Sequence, residues 1–138
     1  MIIYNDTLNQ FKDDVINNMV VDKLLSKLKE NGLQGGSPNE IRSWYNSLRF
    51  MKDVLDTPTI PGETYVAVEY NIPQTSKRVD FMILGKNEKK EDTIVIVELK
   101  QWGKVEKVDD SSLHSIMSDL QKGEPVAHPS YQAYTYKV

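Results

Sequence analysis

Three ionisable residues sit at the ends of two neighbouring apolar runs. Asp80 lies in Arg78-Val79-Asp80-Phe81-Met82-Ile83-Leu84, and Glu98 and Lys100 close Ile94-Val95-Ile96-Val97-Glu98-Leu99-Lys100. An unpaired charge in apolar surroundings costs several kcal/mol, so charges in such runs need a partner or a task. The polar stretch 85–92 between the runs predicts an antiparallel hairpin. With the turn centred on Lys89, Leu84 faces Ile94, Met82 faces Ile96 and Asp80 faces Glu98. Strand alternation then puts Asp80, Glu98 and Lys100 on one face. The opposite face carries Val79, Phe81, Ile83, Val95, Val97 and Leu99. A hairpin apolar on both faces belongs in the middle of a sheet. Two carboxylates about one strand spacing apart can share a divalent cation through oxygen, as magnesium prefers. A lysine beside them can hold a water or offset charge developing on a phosphate. The plainer alternative is an Asp80–Lys100 salt bridge at a strand end, with Glu98 solvated nearby.

The pattern D-(x17)-E-x-K resembles the PD-(D/E)xK nuclease superfamily, with Asp80 as first acid and Glu98-Leu99-Lys100 as the E-x-K. Val79 stands where the family name has proline. A second run, Gln132-Ala133-Tyr134-Thr135-Tyr136, resembles the Q-x-x-x-Y motif of the RecB-type branch. Gln132 and Tyr136 are four apart and would share a helix face; in the family that face looks toward the metal and the nucleic-acid backbone. In order along residues 37–138, Glu40-Ile41-Arg42-Ser43-Trp44, Glu69-Tyr70-Asn71-Ile72-Pro73, Ser76-Lys77-Arg78-Val79-Asp80-Phe81, Glu98-Leu99-Lys100-Gln101-Trp102 and His128-Pro129-Ser130-Tyr131-Gln132 resemble the N-terminal region of certain bacterial nuclease–helicase fusions. Those proteins continue into an ATPase of the Schlafen group-3 DNA/RNA helicase type. The resemblance implies a restriction-endonuclease-like α/β fold, a mixed central sheet flanked by helices. It implies Mg2+ or Mn2+ held by Asp80, Glu98 and the Leu99 backbone carbonyl, with Glu40 as a further metal-side acid. Catalytic roles pass to Asp80, Glu98, Lys100, Gln132 and Tyr136. The implied activity is hydrolysis of DNA, or of RNA, without sequence preference. The implied partners are nucleic acid and a C-terminal ATPase/helicase domain in a longer protein, with a homodimer as a further expectation. The rival reading is a catalytically degenerate nuclease fold that docks nucleic acid or a partner.

Helical spacing of Leu8, Phe11, Val15, Met19, Leu24, Leu25 and Leu28 predicts a helix over 5–30, ended at Asn31-Gly32. Ser37-Pro38-Asn39-Glu40 reads as the start of another, with serine cap, proline at the first position and glutamate at the third. That position explains Glu40 as well as a metal-side role does. Ile41, Trp44, Tyr45, Leu48, Met51 and Leu55 form one face of this helix. Residues 64–70 read as the first strand, and Glu69 on it would touch the metal or pair with Arg78 or Lys100. The stretch 104–127 is ambiguous: 105–108 suits a short strand, and Leu113, Ile116, Met117 and Leu120 suit a helix face. His128 before Pro129 reads as a helix start, carrying the Gln132 motif. Trp44 and Trp102 read as core or rim aromatics rather than base-stacking platforms. The expected organisation is one domain, a helical extension over 1–36 and a core over 37–138 that is shortened at its C-terminal end.

The 138 residues hold no cysteine and only His114 and His128, which disfavours disulfides and zinc. No long apolar run predicts a membrane span, and no basic start with an apolar stretch predicts a signal peptide, so the expected location is cytoplasmic. Net charge is −3. Residues 1–76 hold seven basic and ten acidic side chains, and residues 77–138 hold ten of each. A free-standing high-affinity nucleic-acid binder needs a basic face; a nuclease that grips through metal ions or a partner domain does not.

Overall fold

The computed structural model describes residues 1–108, 115–118 and 124–136. The chain forms strand β1 (Ile2–Thr7), helices α1 (Leu8–Ile16), α2 (Val20–Glu30) and α3 (Pro38–Val54), and strands β2 (Tyr65–Asn71), β3 (Arg78–Lys86) and β4 (Asp92–Val97). Strands β5 (Val105–Lys107), β6 (Ser115–Ser118) and β7 (Pro125–Ala127) and helix α4 (Pro129–Tyr134) follow. The main sheet has the order β1-β2-β3-β4, and the small one β5-β6-β7. The fold is α/β. Every strand pair among the described residues is antiparallel, where a mixed sheet was expected.

The N-terminal segment departs from the expected single helix. Ile2 to Thr7 pairs with β2, so the sheet begins before the helices rather than after them. Ile3 and Tyr4 are buried there; apolar and aromatic side chains suit a half-buried pleat. Thr7 then caps α1, its hydroxyl accepting from Gln10 N–H. The expected helix breaks at Asn17-Asn18, where Asn18 takes φ 56°, a left-handed conformation asparagine tolerates. The break re-phases the chain. Leu8, Phe11 and Val15 of α1 and Val20, Val21, Leu24 and Leu28 of α2 all reach one core, while Met19 is left exposed. Helix α3 starts as expected: Ser37 Oγ accepts from Glu40 N–H and Pro38 takes the first turn. Its Trp44, Leu48 and Met51 complete the core against Val66, Val68 and Phe81 of the sheet. Phe81 meets Phe11 edge-on at 5.4 Å.

The β3–β4 hairpin has the derived register, with Met82 opposite Ile96 and Leu84 opposite Ile94. Its turn closes through Lys90 N–H to the Asn87 carbonyl. Two corrections apply. Strand β4 is an edge strand among the described residues, not a central one, and Ile94 is 60% exposed. Val79 does not share the environment of Phe81: it packs with Ala67, Met82 and Tyr136 on the other side of the sheet. The cause lies in the row between them. Val68 and Phe81 belong to the helix-side core, whereas the pair two residues on, Tyr70 and Val79, packs in the opposite cluster. Regular strands would keep both pairs on one face. Glu69, in the row between, adopts φ 58° and absorbs the switch. A left-handed non-glycine residue costs about 1–3 kcal/mol and persists where its surroundings hold it.

In the 104–127 stretch, β5 matches the short strand expected at 105–108. Residues 115–118 form a strand, not part of a helix; Leu113, His114 and Leu120 lie outside the described residues. Helix α4 is capped by His128, whose Nδ1 accepts from Ser130 N–H at 3.1 Å. It ends at Tyr134, so Tyr136 lies in the turn beyond it rather than on its face. No helix among the described residues is long and apolar enough to cross a membrane.

Candidate functional site

Asp80 and Glu98 are the next residues past the last hairpin pair, Phe81–Val97. There β4 gives way to irregular backbone, which turns Leu99 N–H onto Asp80 Oδ2 at 2.9 Å. The Glu98 side chain is only 4% exposed. Its Oε1 accepts from Lys100 Nζ at 2.6 Å and its Oε2 from the Tyr136 hydroxyl at 3.0 Å. Gln132 closes the circuit: its Oε1 accepts from Lys100 at 3.0 Å and its Nε2 donates to the Tyr136 oxygen at 2.9 Å. Lys77 Nζ, donating to the Thr135 carbonyl at 3.0 Å, ties the end of α4 to the β2–β3 connection. The five residues expected to be catalytic, Asp80, Glu98, Lys100, Gln132 and Tyr136, thus line one open cavity of about 570 Å³. The plain salt-bridge alternative is not what forms. Lys100 pairs with Glu98, and Glu98 is buried rather than solvated.

Glu40 sits on the other side of Asp80. It lines a smaller cavity of about 160 Å³ together with Trp44, Glu69, Arg78 and Asp80. Its Oε2 accepts from Gly36 N–H at 3.0 Å and its Oε1 meets Arg78 Nη2 at 3.2 Å. Glu69 is 5% exposed. Its Oε1 accepts from Trp44 Nε1 at 2.9 Å, and Arg78 Nε lies 2.6 Å from its Oε2. That last contact is an ion pair without an aligned hydrogen bond. Of the partners expected for Glu69, Arg78 is the one found. Trp44 is a core residue, as expected, with a polar task added.

The electrostatics follow from these contacts. Burial raises the Asp80 carboxyl above its ordinary range, the Leu99 amide opposes this, and the Glu98 charge raises it further. Burial likewise raises Glu69, against the opposing pull of Arg78 and Trp44. Tyr136 is pushed up to about 12, chiefly by burial, with the Glu98 carboxylate adding to it. Asp80 and Glu98 therefore repel one another in a poorly solvated place, which a bound cation would relieve. Hard oxygen donors of this kind suit magnesium or manganese. No group of three or more acidic, histidine or cysteine side chains able to hold a metal occurs among the described residues. A metal here would complete its coordination with backbone oxygen, water or substrate.

Sequence reasoning gave Arg78 no part of its own in the site. The available signal was its place two residues before Asp80 on the same strand. It also missed Asp14, a mid-helix acid within the apolar stripe of α1, which is buried at 2% exposure. No family model, no curated protein and no solved structure matches the chain.

Proposed function

We propose that this chain is a metal-dependent nuclease that hydrolyses the phosphodiester backbone of DNA, or of RNA, without reading sequence. The observation that carries this reading is the convergence of Asp80, Glu98, Lys100, Gln132 and Tyr136 on one cavity from β3, the segment after β4, and α4 with its following turn. Asp80 and Glu98 would hold Mg2+ or Mn2+ with the Leu99 carbonyl, and Glu40 would act from the α3 side. Such an ion, when bound, lowers the pKa of a water and stabilises charge on a phosphate. Lys100 keeps its ammonium at Glu98 and Gln132, from where it can orient a water or neutralise an oxygen of the scissile group. Gln132 fixes Lys100 and Tyr136 in one arrangement, and Tyr136 holds Glu98 Oε2 so that the carboxylate cannot rotate freely. The finer fold reading is restriction-endonuclease-like, and the proposed setting is a longer protein with an ATPase/helicase domain, in the cytoplasm.

The test is cleavage of single- and double-stranded DNA and of RNA in magnesium, manganese and EDTA. Divalent-dependent cleavage that Asp80→Asn abolishes supports the reading; no cleavage under any of these conditions counts against it. A second reading, a degenerate nuclease fold that docks nucleic acid or a partner, draws on one observation. Glu98 is already occupied by Lys100 and Tyr136, so a metal must compete with internal donors.

A further inference from the structure

We propose that Arg78 forms a phosphate subsite beside the metal-binding acids, gripping a backbone phosphate of the substrate next to the scissile one. This inference rests on the nuclease reading above and adds to it a substrate contact. Arg78 lines the same cavity as Asp80, Glu98 and Lys100. It also lines the smaller cavity behind Asp80, so it stands at the wall between the two. Its side chain is 44% exposed, open enough to meet a ligand.

Its guanidinium is braced from two directions. Nε lies 2.6 Å from Glu69 on β2 and Nη2 lies 3.2 Å from Glu40 on α3. Each brace is itself braced: Glu69 by Trp44 Nε1 at 2.9 Å, and Glu40 by Gly36 N–H at 3.0 Å. A guanidinium carries more N–H donors than these contacts use, in a rigid plane that matches a phosphate with two parallel bonds. A cation whose orientation is set in advance loses less entropy on binding than a free side chain.

The brace is not arranged for stability alone. Glu69 keeps a buried oxygen without an aligned hydrogen bond and a left-handed backbone, two costs that an apolar residue in a regular strand would avoid. The other cations of the cavity are engaged inside it. Lys100 donates to Glu98 and Gln132, and Lys77 to the Thr135 carbonyl. Arg78 is the only arginine among the described residues lining it.

The experiment is a titration of a labelled mixed-sequence DNA oligonucleotide at several salt concentrations in EDTA, with wild type, Arg78→Gln and Arg78→Lys, alongside thermal melts. The expected result is about tenfold weaker binding by Arg78→Gln, with the slope of log affinity against log salt reduced by about one. Arg78→Lys should keep that slope, because the charge remains, and bind about threefold more weakly, because the fork is gone. Equal affinity and slope for Arg78→Gln and wild type would overturn the proposal, as would no measurable wild-type binding at low salt. Should Arg78→Gln fail to melt cooperatively, Arg78→Lys decides, and affinity equal to wild type overturns the proposal. Cleavage is scored separately. A wild type that binds through Arg78 yet never cleaves defeats the nuclease reading and leaves the subsite standing. A wild type that cleaves while Arg78→Gln binds and cleaves unchanged defeats only the subsite.

Discussion

Asp14 and Asp80 are both carboxylates drawn out of water, and their surroundings treat them in opposite ways. Asp14 receives the Tyr4 hydroxyl at 2.8 Å, Gln10 Nε2 at 3.0 Å and Lys23 Nζ at 2.6 Å. Burial pushes it up, but these three donors more than offset burial and hold the carboxyl below its ordinary value. Asp80 has the Leu99 amide and, nearby, another carboxylate; burial and that neighbour leave it raised. A buried acid with a full set of donors ties β1 to α1 and α2. A part-buried acid left short of donors beside a second acid is one whose charge a cation would offset. Both are drawn out of water, Asp14 fully and Asp80 in part, so the balance of donors together with burial separates the acid that is satisfied from the one that is not.

The largest expected effect is at the proposed catalytic acids. Glu98→Gln or Asp80→Asn should cut metal-dependent cleavage by about 1,000-fold or more, because each removes a charged ligand of the proposed cation that stabilises the developing phosphate charge. Asp80→Asn should melt at or above the wild-type temperature in EDTA, since it relieves repulsion, whereas Glu98→Gln also gives up the ion pair to Lys100. Unchanged cleavage by both variants, with contaminants excluded, would rule the mechanism out, and a large drop in melting temperature would make Asp80 another Asp14.

Next comes the structural acid itself. Asp14→Ala strands the Tyr4 hydroxyl and should cost about 2–3 kcal/mol. That corresponds to about 6–12 °C in melting temperature for a chain of this size. Cleavage per folded molecule should stay the same, and a selective loss of activity without loss of stability would erase the contrast.

A pH series sharpens it. Asp14 has a depressed folded pKa, so its stabilisation is fully present above the unfolded value of about 3.9. It is lost as pH falls through the lower folded value. Asp80 has a raised folded pKa, so its folded form gains by protonation. Its contribution is present below about 3.9 and is lost as pH rises through the folded value. In EDTA, the stability of Asp80→Asn relative to wild type should therefore rise with pH above about 4, while that of Asp14→Asn should fall as pH rises through the acid range. Parallel curves for the two variants would contradict the assignment.

The smallest effect belongs to Lys23, which is half-buried at most. Lys23→Met should cost about 1 kcal/mol or less. Combined with Asp14→Asn in a double-mutant cycle, it should show coupling of that same order. Coupling near zero would place the weight of the network on Tyr4 and Gln10.

Gln132 and Tyr136 were assigned through the family resemblance; the hairpin register, the Ser37 cap and the grouping of Asp80, Glu98 and Lys100 were legible in the sequence itself. They depend on short-range geometry: strand alternation, a turn centred on Lys89, and residue types that favour particular backbone positions. A local pattern is written in neighbouring residues, so it can be read before the chain is folded. The joining of Ile2–Thr7 to β2, the edge position of β4, the break at Asn18 and the passage of Val79 to the far side of the sheet were decided only in three dimensions. Each turns on which distant segment lies alongside. Glu69 takes a left-handed backbone between Trp44 and Arg78, partners 25 residues before it and on the next strand. Arg78 was among the partners the sequence offered, but Trp44 is not visible in the local sequence of Glu69. The same holds for charge: composition alone assigns Asp14 and Asp80 equal weight, and only the surroundings that folding brings to each decide which acid is satisfied and which is left short of donors.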